Sequence, residues 1–476
     1  MLGNRLLRKL LKVCMLLALG RPAAGQAPAG PRPTNTDDAN WEGLLGPGNG
    51  LSSYVHAVRQ APNGDIYVGG DFTNAGTSPN ADYIARWNGS SWQPLGPGLT
   101  GSVYAIAVAP NGDLIVGGNF ANAGGNPDAD GIARWDGTSW HAIGNQLYGR
   151  VYAIKVLPNG DIIAGGILLD AATNSAGGLL RWDGSSWTRL GGGAKFNGDV
   201  YALATDANGD LLVGGAFSNV FGVAGATSIV RWTGSAWQAL GGGLGAPGSS
   251  VRTIAREAGG TILAGGEVPG GLTRWNGTSW QTVAPGIFGR VSAVVVAPNG
   301  QLVVGGYFEN AGGNPLCDYI GRWDGSTWQP MGSGLSIFGL SGYVFALDLT
   351  AGNDVIAGGA FTRTGDGSRT LGRAAIYRTR GLLTPSAAAW AREGWALYPS
   401  PAREQAVLLV PGGLRPGPVE ATLHNALGQR VRRFGAGAVP AGGGRLPLDV
   451  TGLAPGCYVL RVQHQGRLLS HQLLVQ

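Results

Sequence analysis

Histidine and cysteine are scarce in this 476-residue chain, which contains five His and three Cys. Cys14, Cys317 and Cys457 form neither a CxxC pair nor a disulfide framework, and the last two lie in separate predicted domains, which disfavours a disulfide between them. In the central region, His56 and His141 stand apart from cysteines and paired carboxylates, so no zinc, copper or triad pattern is visible. We therefore predict no metal, no cofactor and no catalytic residue, and we interpret the two histidines as packing or surface residues.

Charged residues are also few, at 13% of the chain, and they are unevenly distributed. Residues 41–380 hold 19 Lys/Arg against 22 Asp/Glu, a net charge of −3, whereas residues 1–25 and the tail from residue 381 each carry +5. A nucleic-acid-binding domain needs a basic face, which the central region lacks. Nucleic acid is therefore not expected as a partner.

A repeated unit fills most of the chain. The second Trp of the unit recurs every 43 to 51 residues, and such self-similarity indicates a repeat architecture. The Gly-Gly pair begins at Gly69, Gly117, Gly165, Gly214, Gly265, Gly305 and Gly358, and the second Trp falls at Trp41, Trp92, Trp140, Trp187, Trp237, Trp280 and Trp328. Seven copies of each landmark predict seven structural units.

The second copy predicts four strands per unit. They are Val103–Ala109, Leu114–Phe120, Ile132–Trp135 and a strand that begins at Trp140. We expect Asn111-Gly112 to take the positive φ angles that a tight hairpin needs. We expect Gly117-Gly118 to let a large ring or a neighbouring backbone approach closely, because glycine has no Cβ.

The ends of the repeat indicate a closed ring. The last copy has three strands and no Trp strand after them, whereas the repeats begin with an orphan Trp strand, residues 41–45. Placing that strand on the last unit closes the ring, while an open array would leave an unpaired edge at each end. We predict an all-β, seven-bladed β-propeller over residues 41–380, with an N-terminal strand that completes the last blade.

The repeated pattern resembles kelch-type propeller repeats over about residues 41–380. The resemblance rests on a hydrophobic Gly-Gly strand followed by a Trp strand, as in IVGGNF and ARWDGTSW. Two other repeat families match less well. The Gly-His that accompanies the WD dipeptide of WD40 blades is missing, and Asp136 lies four rather than five residues before Trp140, unlike the Asp-box of sialidases.

The N-terminal residues predict export. Residues 1–25 combine a basic segment, a short apolar run and small residues, which is typical of a secretory signal peptide cleaved after Gly25 to leave Gln26. A lipoprotein anchored through Cys14 is the alternative, but this Cys precedes most of the apolar run. Residues 26–40 are rich in Pro and polar residues and are expected to form a flexible leader, and residues 381–397 are expected to form a linker.

Residues 398–476 resemble the C-terminal sorting domain of the type IX secretion system of Bacteroidetes-type bacteria. The matching segments are YPSP, HNALGQRV, LDVTGLAPGCYVLRV and a final strand in LLVQ. Their landmark residues are Tyr398, Pro399, Pro401, Gly428, Gly456 and Tyr458. The resemblance implies a small Ig-like β-sandwich that the secretion machinery recognises and usually removes. It also implies a secreted or outer-surface location after Sec export through the periplasm. We expect a monomer with no transmembrane helix in the mature chain.

The recurring arginines of the third strands, such as Arg134, are predicted to be structural, with the stem against Trp and the head on a carbonyl or Asp. Function is instead expected in the longer loops, which follow the Gly-Gly strand and the Trp strand and share one end of the ring. Those after the Gly-Gly strand are long and rich in Asn and Asp in blades one, two and six. Our candidates for ligand contact are Asn74, Asp82, Tyr83, Asn122, Asp128, Asp130, Asn310, Asp318 and Tyr319.

These features predict a secreted or surface-displayed, non-catalytic propeller that binds a glycan or protein ligand. Two alternatives stay open. One is a polysaccharide-acting hydrolase or lyase whose carboxylates come from several blades, and the other is a structural component of a surface layer. Asn and Asp in the candidate loops are also explained by Asx-turns, and no EF-hand-like spacing supports calcium binding.

Overall fold

The computed structural model describes residues 34–46, 50–144, 147–170, 175–176, 178–191, 196–218, 220–246, 248–337, 340–379, 395–398, 402–411, 417–424, 430–439, 443–464 and 467–476. The predicted cleavage residues Gly25 and Gln26, and the tail residues Pro399, Pro401 and Gly428, lie outside the described residues. Within the described ranges, no helix has the length and apolar character needed to cross a bilayer.

The described strands between residues 41 and 377 form seven antiparallel sheets with a four-stranded main path, which we number as blades one to seven. Their strands are Val55–Gln60, Ile66–Gly70, Ile84–Trp87 and Trp92–Gln93 in blade one; Ser102–Val108, Leu114–Asn119, Ile132–Trp135 and Trp140–Ala142 in blade two; Tyr148–Val156, Ile162–Asp170, Leu179–Trp182 and Trp187–Arg189 in blade three; Asp199–Thr205, Leu211–Ala216, Ile229–Trp232 and Trp237–Ala239 in blade four; Ser250–Arg256, Ile262–Glu267, Leu272–Trp275 and Trp280–Thr282 in blade five; Gly289–Val296, Leu302–Phe308, Ile320–Trp323 and Trp328–Gln329 in blade six; and Tyr343–Leu349, Val355–Ala360, Ala374–Tyr377 and Trp41–Gly43 in blade seven. The protein is an all-β propeller.

The connections between these strands contain further short strands and 3-10 turns. Ser175–Ala176 adds to blade three, and Leu335–Ile337, Leu340–Ser341 and Arg363–Thr364 form a small separate sheet. The 3-10 turns are Thr36–Asn40, Ala75–Thr77, Ala123–Gly125, Val220–Gly222 and Ala311–Gly313.

The N-terminal strand closes the ring, as predicted. Trp41 pairs with Tyr377 on the outer edge of blade seven, and the two rings meet edge to face with centroids 5.1 Å apart. The Trp41 side chain is fully buried, and its indole N–H donates to the carbonyl oxygen of Met331 at 2.8 Å. The same kind of bond recurs in other blades, as from Trp140 to Leu95 and from Trp280 to Leu240. The second Trp of six copies, namely Trp41, Trp92, Trp140, Trp187, Trp280 and Trp328, is therefore an inter-blade anchor.

The two glycines of each Gly-Gly pair make room for different neighbours. A Cβ on Gly117 would lie 2.5 Å from Val151 of the next blade, and one on Gly358 would lie 2.5 Å from Val55 of blade one, which closes the series. A Cβ on Gly118 would overlap the carbonyl oxygen of Ser102. The close approach of a neighbouring backbone, one of the two expected alternatives, is found at the second glycine, whereas the first glycine faces a valine side chain and not a large ring.

That carbonyl approaches because the first strand of every blade carries a β-bulge, which lies between Val103 and Ala105 in blade two. The predicted Asn-Gly turn is also formed differently. Gly112 has a positive φ of 93°, whereas Asn111 does not, and the Ala109 N–H bonds to the carbonyl of Asp113 across the loop. One glycine in the left-handed region is enough for this longer hairpin loop.

The tail forms two sheets around one hydrophobic core. One sheet contains Ala396–Tyr398, Gln405–Val410 and Gly444–Asp449, and the other contains Gly417–His424, Arg430–Val439, Gly456–His464 and Arg467–Val475. Trp395 is 3% exposed within this core, and the strand after it begins inside the segment that we predicted as linker. The Tyr458 hydroxyl donates to the carbonyl of Ala454 at 2.8 Å.

Candidate functional site

The three loops that we selected from the sequence share one construction. Asn122 adopts a left-handed conformation before the 3-10 turn Ala123–Gly125, and its backbone N–H donates to Asp130 Oδ1 at 2.7 Å. Asn74 donates in the same way to Asp82 at 2.7 Å, and Asn310 to Asp318 at 2.6 Å. These aspartates therefore shape the loops from within, as Asx-type bonds do.

The same loops seal the junctions between blades. The Gly124 N–H donates to the carbonyl of Gly98 in the preceding connection, and Gly312 donates likewise to Gly286. Gly124 also lies against Trp140, on the outermost strand of its own blade. The turns therefore fold toward the periphery of the ring, away from its axis.

The remaining candidates also take part in loop architecture. Tyr83 and Tyr319 have positive φ angles of 62° and 65°, and their carbonyls accept the N–H of Gly70 and Gly306. Tyr319 is fully buried, its hydroxyl bonds to Glu309, and Asp318 is 4% exposed. Burial removes Tyr319 and Asp318 from direct contact with a dissolved ligand.

The Asp128 N–H bonds to its neighbour Asn126 within the blade-two loop. Of the nine candidates, only Asp318 and Tyr319 are buried. The other seven can still face solvent at the outer edge of this end.

A second set of residues surrounds the axis at the same end of the ring. The first strands of successive blades contact one another all the way round, so they are the innermost strands. Each bulge places one extra residue between a valine and the next paired residue. These residues are His56, Tyr104, Tyr152, Tyr201, Arg252, Ser292 and Phe345. The bulge opposes the second glycine of the Gly-Gly pair, where the long loops begin.

Five of these residues form a continuous series of rings, which we call the axial aromatic arc: Phe345, His56, Tyr104, Tyr152 and Tyr201. Successive ring centroids are 5.2, 5.3, 5.2 and 5.5 Å apart. These separations are typical of favourable aromatic pairs. The arc spans blades seven, one, two, three and four.

A branch of further rings connects the arc to blade six. Phe345 neighbours Tyr343 at 5.8 Å, Tyr343 stacks on Tyr307 at 4.4 Å, and Tyr307 lies 6.2 Å from Tyr319. Tyr319, one of the sequence candidates, is thus the buried end of a series of rings that leads to the axis.

Polar side chains lie beside the axial aromatic arc. His56 Nε2 lies 3.0 Å from Asp71 Oδ2. On the far side, the guanidinium carbon of Arg252 is 3.8 Å from the Tyr201 ring centroid, and Arg252 and Arg290 pair with Glu267 at 3.1 and 3.3 Å. Burial favours a higher pKa for Glu267, but Arg252, Ser250 and Arg290 outweigh it, so the Glu267 pKa is lowered and the carboxylate stays charged.

Exposed apolar side chains also occur at this end, on blades one, three and six. The large hydrophobic residues with exposed side chains in the described part of the propeller are Tyr54, Tyr148, Ile167 and Phe288. Tyr54 and Phe288 directly precede first strands, Tyr148 begins one, and Ile167 lies in the second strand of blade three; Phe288 is 83% exposed.

The tyrosines near the axis resist ionisation. Burial raises the pKa of Tyr104 and Tyr201, and burial together with Tyr307 raises the pKa of Tyr343 to about 12 from its ordinary value of 10.0. The neutral phenol is thus favoured in the folded state, so this contribution to stability is complete below pH 10 and is lost as pH rises toward 12.

We expect the free energy of unfolding to fall between about pH 10 and pH 12 and the fall to be smaller in Tyr343→Phe. The measurement is ultraviolet titration of tyrosinate together with urea unfolding across this range. The urea-unfolded chain is the control, and native tyrosines that titrate together with it would contradict the expectation.

The opposite end of the ring carries the recurring arginines. Each pairs with an acidic or amide side chain near the turn of its own blade: Arg86 with Asp65, Arg134 with Asp113, Arg181 with Asp161, Arg231 with Asp206, Arg274 with Glu257 and Arg322 with Gln301. In blade seven Ile376 occupies the arginine position, and Arg378, which follows the third strand, pairs with Asp354. A pairing repeated in six blades supports the predicted structural role.

We expect Asp113→Asn to lower the free energy of unfolding by less than about 1 kcal/mol, because the Arg134 partner is partly exposed and such pairs contribute little. Urea denaturation measures this change. If Asp113→Asn kept its stability but lost ligand binding, the recurring third-strand arginines would instead have a part in binding.

The described residues contain no group of three or more His, Cys, Asp or Glu side chains able to hold a metal ion. Cys317 is a buried free thiol, and burial together with Asp318 raises its pKa to about 12, so the reactive thiolate is suppressed.

Comparisons with known proteins agree with a propeller. Residues 90–256 match the model of the Rax2 C-terminal beta propeller domain, which covers less than half of the chain. No curated protein matches the sequence.

Two solved structures are distantly similar. One is PorZ, a surface component of the type-IX secretion system of Porphyromonas gingivalis, with 16% identity over 91% of this chain and a TM-score of 0.29. This chain spans about half of PorZ, covering 53% of its length. The other is a protein of unknown function from Bacteroides thetaiotaomicron, with 10% identity over 74% of this chain and 99% of that chain and a TM-score of 0.32.

Proposed function

We propose that this protein is a secreted or cell-surface propeller that binds a glycan at the long-loop end of its axis. The observation that carries the proposal is the axial aromatic arc, with ring centroids 5.2 to 5.5 Å apart. Ligand sites combine concave aromatic walls with a few placed polar groups. Here the polar groups are the His56–Asp71 pair and the Arg252–Glu267 pair.

A saccharide fits this arrangement better than a protein surface does. The apolar faces of pyranose rings can stack on the arc while their hydroxyl groups bond to Asp71, Glu267 and Arg252 at its edges. Stable protein interfaces bury about 800 Å² on each partner, which is far more than one ring of side chains provides. The long loops of blades one, two and six, with Asn74, Asp82, Tyr83, Asn122, Asp128, Asp130 and Asn310, would form the outer wall of the site.

A glycan array probed with the mature full-length chain tests this proposal. We expect retention of one saccharide class and no release of shorter products from it. Retention of extracellular proteins alone would favour a protein ligand. If the protein cleaved the glycan and His56→Asn abolished the cleavage, a hydrolase or lyase would replace the proposed binding function. His56 is the residue to change because its ring nitrogen lies 3.0 Å from the Asp71 carboxylate.

We further propose that the tail is a type IX sorting domain with an Ig-like sandwich, attached to a kelch-like propeller. The sequence segments given above support the assignment, as does the hydroxyl bond from Tyr458 to Ala454, which resembles the tyrosine corner of Ig-type domains.

In a host with this pathway, a chain truncated after residue 394 should accumulate in the periplasm. The cut precedes Trp395 because that residue packs in the core of the tail.

A reporter protein fused to residues 395–476 is the matched control, and it should reach the medium or the cell surface. Export of the truncated chain at the normal level would overturn the sorting role. N-terminal sequencing of the exported protein checks the predicted cleavage between Gly25 and Gln26.

A further inference from the structure

A cavity of about 310 Å³ lies between blades one and two, at the end of the ring that carries the recurring arginines. Its lining includes Tyr67 and Arg86 from blade one and Asp113, Trp135 and Asp136 from blade two. Ligand pockets have volumes of about 300 to 1,000 Å³, so this cavity has room for one small molecule. Its lining shares no residue with the axial aromatic arc.

Tyr67 sets this junction apart from the other six. It lies in the second strand of blade one, opposite Arg86 on the third strand. At the same register the other blades carry aliphatic residues, which are Ile115, Ile163, Leu212, Leu263, Val303 and Ile356. Since the scaffold accepts an aliphatic side chain at this position in six blades, the Tyr67 ring and hydroxyl are not required by the fold.

Tyr67 and Arg86 bring hydrogen-bonding capacity to the cavity. Arg86 Nη1 lies 3.3 Å from Asp65 Oδ2, a contact that uses one of the five N–H donors of the guanidinium. Burial and the Asp65 charge raise the pKa of Tyr67 above its ordinary value, and Arg86 opposes this shift. The phenol therefore stays neutral at physiological pH, and a neutral hydroxyl both donates and accepts a hydrogen bond.

The charges of the lining already have partners within the protein. Asp65 balances Arg86, the Asp113 carboxylate lies 2.6 Å from the Arg134 guanidinium, and Asp136 Oδ2 lies 2.6 Å from the His141 ring. A carboxylate offers about four acceptor positions, so these contacts leave acceptors for hydroxyl groups. A neutral ligand rich in hydroxyl groups therefore suits the cavity better than an ion does.

We infer that this inter-blade cavity binds one neutral sugar unit, with Tyr67 and Arg86 as donors and Asp113 and Asp136 as acceptors. Each sugar hydroxyl donates and accepts, as this mixed lining requires, and the Trp135 ring supplies an apolar wall. The site lies at the other end of the ring from the proposed glycan site and does not depend on it.

The test is an NMR titration of the mature full-length Tyr152→Ala variant, in which the central ring of the axial site is missing. The probes are glucose, galactose, mannose and N-acetylglucosamine, added one at a time. We expect saturable binding of at least one of these sugars. Adding Tyr67→Ile to this variant should weaken that binding by about tenfold or more, because a hydrogen bond and a ring contact are lost. Tyr67→Ile should fold, since it introduces the kind of residue that the other blades carry.

Arg181→Gln in the same Tyr152→Ala background is the matched control, because Arg181 belongs to the arginine row but lies in blade three. It should bind the sugar with unchanged affinity. Absence of saturable binding for all four sugars would overturn the inference, as would equal affinity with and without Tyr67→Ile. If the Tm shows that Tyr67→Ile does not fold, Tyr67→Phe removes the hydroxyl alone and must still weaken binding.

Discussion

Gly118→Ala should lower the free energy of unfolding by about 3 kcal/mol, at the upper end of what overpacking costs. The added methyl group would overlap the carbonyl oxygen of Ser102, which the bulge of the adjacent strand pushes toward Gly118. A backbone carbonyl in the middle of a blade has no rotamer by which to move aside, so the strand pair must separate. Urea denaturation of the full-length chain measures the loss.

Gly259→Ala is the matched control for this substitution. Gly259 lies in the first turn of blade five, its φ is outside the left-handed region, and an added Cβ there meets nothing within 4 Å. The control should change stability by no more than about 0.5 kcal/mol. Equal stability of Gly118→Ala and Gly259→Ala would show that the second glycine of the pair is not required by the bulge.

Trp41→Ala should lower the free energy of unfolding by about 3 to 5 kcal/mol, the range for truncating a buried large aromatic residue. Trp41 is fully buried, packs against Tyr377 and bonds to the carbonyl of Met331 in the preceding blade. The substitution therefore weakens the strand that closes the ring as well as the core beneath it. Thermal and urea unfolding both report the change.

Glu42→Ala tests the same strand without disturbing the core. Glu42 faces solvent and pairs with Arg378, so its removal should cost less than about 1 kcal/mol. Equal effects of Trp41→Ala and Glu42→Ala would contradict the conclusion that the N-terminal strand closes the propeller through its buried face.

Regular features of the fold could be predicted from the sequence because they repeat. The third strand of blade two, Ile132–Trp135, has the predicted bounds, and the second strand ends one residue earlier than predicted. Seven copies of the Trp landmark also reveal that one strand must come from the other end of the chain. Local propensity alone would not have revealed this closure.

The bulges could not be predicted, because a bulge depends on pairing between strands and not on the pattern of one strand. Tyr104 was therefore counted as an ordinary strand residue, although it lies at the axis. A signal was present in the sequence. The residue between valine and the following small residue varies from blade to blade while its neighbours stay nearly constant, and it is His, Tyr or Phe in five blades.

The candidate loops were selected for their Asn and Asp content, and that content has a local explanation. Asp130 is bonded to the backbone of Asn122, so its presence is accounted for before any ligand is considered. Sequence variation between copies identifies the end of the ring where function is expected, but it does not separate residues that build a loop from residues that face a ligand. That distinction requires the hydrogen bonds.

The most direct measurement compares the affinities of Tyr152→Ala and Asn122→Ala for the glycan retained by the wild-type protein. Tyr152 is in the middle of the axial aromatic arc, whereas Asn122 belongs to a peripheral loop at the same end. We predict that Tyr152→Ala weakens binding at least tenfold, which corresponds to about 1.4 kcal/mol, and that Asn122→Ala changes it less than threefold. Equal affinity of Tyr152→Ala and the wild type, with a large loss in Asn122→Ala, would contradict binding at the axis.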